Sequence, residues 1–163
     1  MLHPSLIARR PAGCRPIHLV TAEGWPALAA SLSATARGYA EVNGFQPKPG
    51  RTLILPNAEG TIEAVVMGID PAGTPGSDPF VSGSLAATLP EGDYAFDTVP
   101  AGAELATLAF LMACYRFDRY KAAEPCRARL VVPKGVDGAR VSRIAAAVAM
   151  GRDLINTPAA DLG

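Results

Sequence analysis

The chain has 163 residues, with 15 basic and 15 acidic side chains and a formal net charge of zero. That length suits one domain with a real core, and the balanced charge gives no reason to expect nucleic acid, an anionic membrane or a highly charged substrate. No stretch is apolar for long enough to form a signal peptide or a membrane span, and Cys14, Cys114 and Cys126 are odd in number without C-x-x-C spacing, which argues against a disulfide framework or a zinc site.

Residues 1–14 read as a loose lead-in, punctuated by Pro4, Pro11 and Gly13. A short strand is expected over 17–20, entered after Pro16. From Trp25 to about Val42 the pattern turns helical. Leu28, Leu32, Ala36 and Tyr39 recur at spacings of three and four and form one apolar stripe. Pro26 falls in the first turn, where its missing N–H costs nothing. Gly44 ends the run, and a Pro- and Gly-containing turn follows over 46–50.

Two strands are expected next, over 51–55 and 62–69, joined by Asn57-Ala58-Glu59-Gly60 as a hairpin connection. The second is almost continuously apolar, which predicts a strand covered on both faces. Residues 70–76 form a loop rich in Gly and Pro. Asp78-Pro79 is a helix-start signal that predicts a short helix to about Ala87, weakened by Gly83. A turn at 90–93 leads to a strand over 94–99.

The strongest helix signal runs from Gly102 to about Arg119, with Leu105, Leu108, Met112 and Tyr115 on one face and Phe110, Leu111 and Phe117 on others. A helix this apolar around its girth is buried between layers, and Cys114 reads as a small core residue within it. The last strand is expected over 128–133, then a turn over 134–138. A final helix begins near Ala139 and stops near Asn156, because Pro158 lacks an N–H and disfavours helix at Thr157.

Strands interleaved with helices predict an α/β fold, and the hairpin makes its β-sheet mixed, with helices on both faces. The domain boundaries are a lead-in over 1–14, an α/β domain over 15–136 and an exit helix over 137–163. Only five residues follow Pro158, so the helix is expected to lead into a partner half of a longer protein.

Little chemistry is visible. His3 and His18 are far apart and have no metal-ligand spacing. No G-x-S-x-G elbow occurs around Ser82 or Ser84. The pairs Asp93 with Asp97 and Glu59 with Glu63 read as exposed carboxylates. Arg116, Arg119, Lys121, Arg127 and Arg129 read as a solvated helix end and turn. The 68–77 loop follows a strand and precedes a helix start, where backbone N–H groups can bind an anion. It matches neither phosphate-loop pattern, and two prolines, Pro71 and Pro75, remove donors from it. No residue is assigned a catalytic, cofactor-binding or metal-ligating role.

Two stretches carry a resemblance. The run from Gly151 through Asn156-Thr157-Pro158 to Gly163 resembles the segment joining the two domains of the M17 leucyl aminopeptidase family, and Tyr115-Arg116-Phe117-Asp118-Arg119-Tyr120-Lys121 resembles a helix end in that family's N-terminal domain. The resemblance implies a macro-domain-like α/β scaffold at the periphery of a cytoplasmic hexamer. It places the peptide substrate, two zinc or manganese ions and the catalytic lysine and arginine in a following domain. The family's N-T-D-A-E-G-R motif is not present here, and Asn156-Thr157-Pro158 departs from it at its third position. On this reading Leu154, Ile155, Thr157 and Pro158 matter structurally, and this segment alone is inactive. The alternatives are a free-standing macro-type module binding ADP-ribose or a related nucleotide through the 68–77 loop, and a pure assembly module.

Overall fold

The computed structural model describes residues 1–161, so Leu162 and Gly163, the end of the family-like segment, lie outside the described residues. Two strands set the centre of the sheet. Arg15–Val20 (β2) pairs in parallel with Ile62–Gly68 (β4), Ile17 opposite Val65 and Leu19 opposite Met67. Thr52–Pro56 (β3) lies antiparallel to β4 as the second arm of the expected hairpin. Asn57 closes that hairpin: its side-chain oxygen accepts from the N–H groups of Glu59 and Thr61.

On the other side of β2 come Gly92–Phe96 (β5), Ala128–Val131 (β6) and Leu6–Ile7 (β1), all parallel, giving the order β1-β6-β5-β2-β4-β3. A mixed sheet was expected; β1 was not. The expectation of a loose lead-in fails at Leu6–Ile7. The Leu130 N–H donates to the Ser5 carbonyl and the Val132 N–H to the Ile7 carbonyl, and Leu6 is buried. Two apolar residues were too short a run to stand out from Pro4 and Pro11, yet an unpaired β6 edge supplies their partners.

Alternation along β4 divides the core. Val65 and Met67 face one side with Ile17, Tyr94, Phe96 and Leu130. Ala64 and Val66 face the other with Leu55. Both sides are apolar because both are covered, as the near-continuous pattern predicted. The second side is covered by Trp25–Ser31 (α1) and Ala34–Val42 (α2), through Leu32, Ala36, Ala40 and Phe45.

The single helix expected over 25–42 is therefore two. Ser33 breaks it by capping α2. Its hydroxyl accepts from the Ala36 N–H at 3.1 Å, while its own N–H donates to the Glu63 carboxylate on β4. A serine that can satisfy backbone donors this way favours a cap over a helix interior. The break rotates the stripe, so Ala40 is buried and Tyr39 is exposed. Gly44 ends α2 at φ 54°, with its N–H on Glu41 and the Phe45 N–H on Ala40, a Schellman stop that only glycine adopts without strain.

The first face is covered by Leu85–Thr88 (α3), Ala103–Ala113 (α4) and Gly138–Asn156 (α5). The helix expected to start at Asp78 begins later. Asp78 instead accepts the Phe80 N–H in a local turn, and a 3₁₀ turn over Val81–Ser84 leads into α3. Gly83 is not a weak link. A Cβ there would stand 3.1 Å from the Ala109 carbonyl oxygen, so its missing side chain lets the turn reach α4.

The strand expected to run to Val99 ends at Phe96; the Asp97 N–H makes the last bond, to Ile17. Helix α4 stops at Ala113 rather than Arg119 because the Arg116 guanidinium takes the carbonyls of Ala113 and Tyr115, which an onward helix would need. Its buried face is Ala106, Thr107, Phe110 and Leu111, whereas Leu105 is 42% exposed. The near-uniform apolarity of α4 hid which side faces inward.

Candidate functional site

Helix α5 carries the features that distinguish this domain. Asp137 starts it, its carboxylate accepting the N–H groups of Ala139 and Arg140, and those bonds hold the Asp137 carboxyl below its ordinary range. Gly138 follows in a tight spot. A Cβ there would lie 2.9 Å from both Leu2 and Val132, so glycine lets the first turn sit on the lead-in and the end of β6. Val141 and Ala145 then bury on the sheet.

Beyond Ala145 the helix outgrows the core. Met150, Leu154 and Ile155 are exposed, Ile155 at 86%. The helix stops at Asn156 as expected. Thr157 is extended before Pro158, and its hydroxyl donates back to the Asp153 carbonyl at 2.7 Å.

The two stretches that carry the family resemblance meet at this end. Tyr115 donates to Asp153 Oδ1 at 2.7 Å, Asn156 donates to the Tyr115 hydroxyl, and the Arg119 guanidinium donates to the Asp161 carbonyl. Tyr120 also donates to the Asp161 carboxylate. Arg152 closes the set, reaching the Met112 carbonyl at 2.8 Å with its guanidinium over the Tyr115 ring. Two of the expected basic side chains therefore hold backbone carbonyls, Arg116 locally at the end of α4 and Arg119 across the fold at Asp161. Arg127 pairs with Glu124 and Glu91, and Arg129 pairs bidentately with Asp93 across β5 and β6.

The remaining candidates do not converge. His3 lies on the lead-in, accepting the Ser5 N–H at Nδ1, and burial pushes its imidazole down. His18 lies on β2 with Nδ1 3.4 Å from Asp97. Glu63 holds Ser33, and Asp93 holds Arg129. Among the described residues, no group of three or more His, Cys, Asp or Glu side chains is placed to hold a metal ion. No helix of the described residues is long and apolar enough to cross a membrane.

The 69–79 loop does line a cleft of about 260 Å³ with Leu19, Pro100 and Ala106. It lies beyond the C-terminal ends of β2, β4 and β5, where the chain crosses from one side of β2 to the other, the usual ligand position in such sheets. Its charged lining is Asp70 and Asp78, and no Lys or Arg lines it. Carboxylates repel a phosphate, and the prolines offer it no N–H.

One convergence escaped sequence reasoning. Cys114 at the end of α4 and Cys126 before β6 bring their sulfurs to 2.7 Å. The signal was weak: twelve positions separate them, with no motif between.

The architecture defines an α/β domain built on a mixed six-stranded sheet with helices on both faces, ending in a helix that runs past its own core. The pattern of the M17 aminopeptidase N-terminal domain matches residues 15–133, and the chain belongs to that family. Among solved structures it is similar to the cytosol aminopeptidase of Coxiella burnetii, with 25% identity and a TM-score of 0.84 over 99% of this chain and 35% of that one. The bottromycin maturation enzyme BotP in complex with Mn shares the fold at 22% identity and a TM-score of 0.60, over 93% of this chain and 33% of that one. A tomato leucine aminopeptidase mutant does so at 16% and 0.62, over 95% of this chain and 38% of that one. The chain thus spans roughly a third of the length of each of these proteins. No curated protein matches it by sequence.

Proposed function

We propose that this chain is the non-catalytic scaffold and oligomer-interface domain of a leucyl aminopeptidase that removes N-terminal amino acids from peptides. In this reading residues 15–136, with β1 added, form the body, and the segment over 137–163, which carries α5, leads to a catalytic domain. The single observation supporting it is the match of almost the whole chain to 35% of the Coxiella burnetii cytosol aminopeptidase, which leaves the larger part of that enzyme for the chemistry. The two divalent metals, manganese or zinc, the peptide substrate and the hexamer belong to the parent protein. Cytoplasm is the proposed compartment, in keeping with that relative's name.

The exposed Met150, Leu154 and Ile155 suit this role. An apolar face on a helix that has left its own core is stable when something covers it, and the catalytic domain is the proposed cover. The test is hydrolysis of Leu-p-nitroanilide with Mn²⁺ present. The purified chain is expected to give no turnover, and turnover that copurifies with it overturns the reading. The rival reading, a macro-type nucleotide module, predicts heat on titration with ADP-ribose. The carboxylates of the 69–79 cleft predict none.

A further inference from the structure

We propose that Cys114 and Cys126 are a redox-responsive thiol pair, which a peroxide converts to an intramolecular disulfide clasping the end of α4 to the start of β6. The proposal is independent of the aminopeptidase reading. It stands on placement. The two sulfurs lie 2.7 Å apart, so a bond needs only a small side-chain movement. Cys114 is buried, whereas Cys126 is partly exposed and lines two surface clefts, one with Glu91 and Arg129 and one with Leu89 and Arg116. A small oxidant therefore reaches Cys126 first.

The surroundings favour that order. Their close contact lowers the Cys126 thiol and raises the Cys114 thiol. The Ser5 hydroxyl also favours the thiolate at both. A partly exposed cysteine of lowered thiol pKa beside a buried one of raised pKa is the arrangement in which the first is oxidised and the second resolves it.

The step balances. The Cys126 thiolate attacks the O–O bond of hydrogen peroxide, forming S–OH and releasing hydroxide, which takes a proton as water. Cys114 then attacks that sulfur, the S–S bond forms, and the second hydroxide leaves with the Cys114 proton as water. One peroxide is reduced to two waters while two thiols lose their hydrogens. The bond closes the loop between the cysteines, and that loop carries Tyr115, which holds the end of α5, and Arg119 and Tyr120, which hold Asp161 just beyond it.

The test is brief treatment of the folded chain with hydrogen peroxide, then unfolding, alkylation with iodoacetamide and peptide mapping. The expected result is an intact mass lowered by two hydrogens, Cys114 and Cys126 joined in one cross-linked peptide, Cys14 still alkylated, a raised melting temperature, and reversal by dithiothreitol. Cys14→Ser is expected to leave the product unchanged, and Cys126→Ser to abolish it. The proposal is overturned if both Cys114 and Cys126 remain alkylated, if the bond involves Cys14 or a second chain, or if Cys126 proceeds to sulfinic acid without a bond. The wild-type map decides by itself should a variant fail to fold.

Discussion

The hydroxyl of Tyr115 donates to Oδ1 of Asp153 at 2.7 Å, tying the segment after α4 to the overhanging end of α5. The two residues are 38 positions apart in sequence. Arg152, stacked on the Tyr115 ring and bonded to the Met112 carbonyl, completes the brace. A helix end that leaves its core frays unless side chains hold it. Tyr115→Phe is therefore expected to speed amide exchange over residues 150–156 while leaving the global melting temperature nearly unchanged. Hydrogen exchange read by mass spectrometry checks this, and unchanged exchange there would show that the brace holds nothing.

Gly68, the last residue of β4, passes directly beneath the 48–51 turn. A Cβ on it would lie 2.6 Å from the Lys48 nitrogen and 2.7 Å from its carbonyl carbon, while the Gly68 N–H donates to Arg51 and the Gly50 N–H returns to Gly68. Backbone cannot give way as a flexible side chain can. Gly68→Ala is expected to destabilise by about 1–3 kcal/mol. Urea denaturation measures it, and a wild-type midpoint would contradict the packing.

Phe110 and Leu105 separate the two faces of α4. Phe110 is fully buried against the sheet, and Leu105 points outward. Phe110→Ala should cost about 3–5 kcal/mol by leaving a cavity, and Leu105→Ala about 0.5 kcal/mol or less. Equal costs in a denaturation series would mean that the helix is turned differently.

Ser33 is worth a separate measurement because it decides whether residues 25–42 form one helix or two. Removing its hydroxyl leaves the Ala36 N–H without its cap. Ser33→Ala is expected to lose about 1 kcal/mol. A gain in stability would favour a continuous helix.

Acid acts at two places. Burial lowers the His3 imidazole, so below about pH 6.5 the unfolded chain takes that proton before the folded one does, and stability falls until the folded group also titrates. Asp137 is held below its ordinary range by the amides it caps. Its contribution is complete above about pH 4 and is lost as pH falls further, through the folded value. Below about pH 7 the melting temperature should fall in an upper stage that includes His3 and a lower stage, below about pH 4, that belongs to Asp137. Asp137→Asn keeps a capping oxygen without a charge, so it should remove the lower stage alone. Its persistence in that variant would assign the stage elsewhere.

Local chemistry made much of this domain readable from sequence. The hairpin between β3 and β4, the proline in the first turn of α1, the glycine stop after α2 and the end of α5 before Pro158 depend on the conformations of residues next to one another. The doubly covered β4 was legible because burial on both faces writes an unbroken apolar run. Two short stretches, 115–121 and 151–163, were enough to point to the family.

Other features depended on partners distant in the chain. Strand β1 exists because the edge of β6 needs bonds, and the break at Ser33 exists because Glu63 lies beneath it. The inward face of α4 was set by what packs on it, since an evenly apolar helix has no pattern to betray it. The meeting of Tyr115 with Asp153, and of Cys114 with Cys126, was decided only when the sheet brought the ends of α4, β6 and α5 together. Sequence determined the elements through short-range sterics and hydrogen bonding; tertiary structure decided which side chains would meet, because such contacts depend on the path of the whole chain.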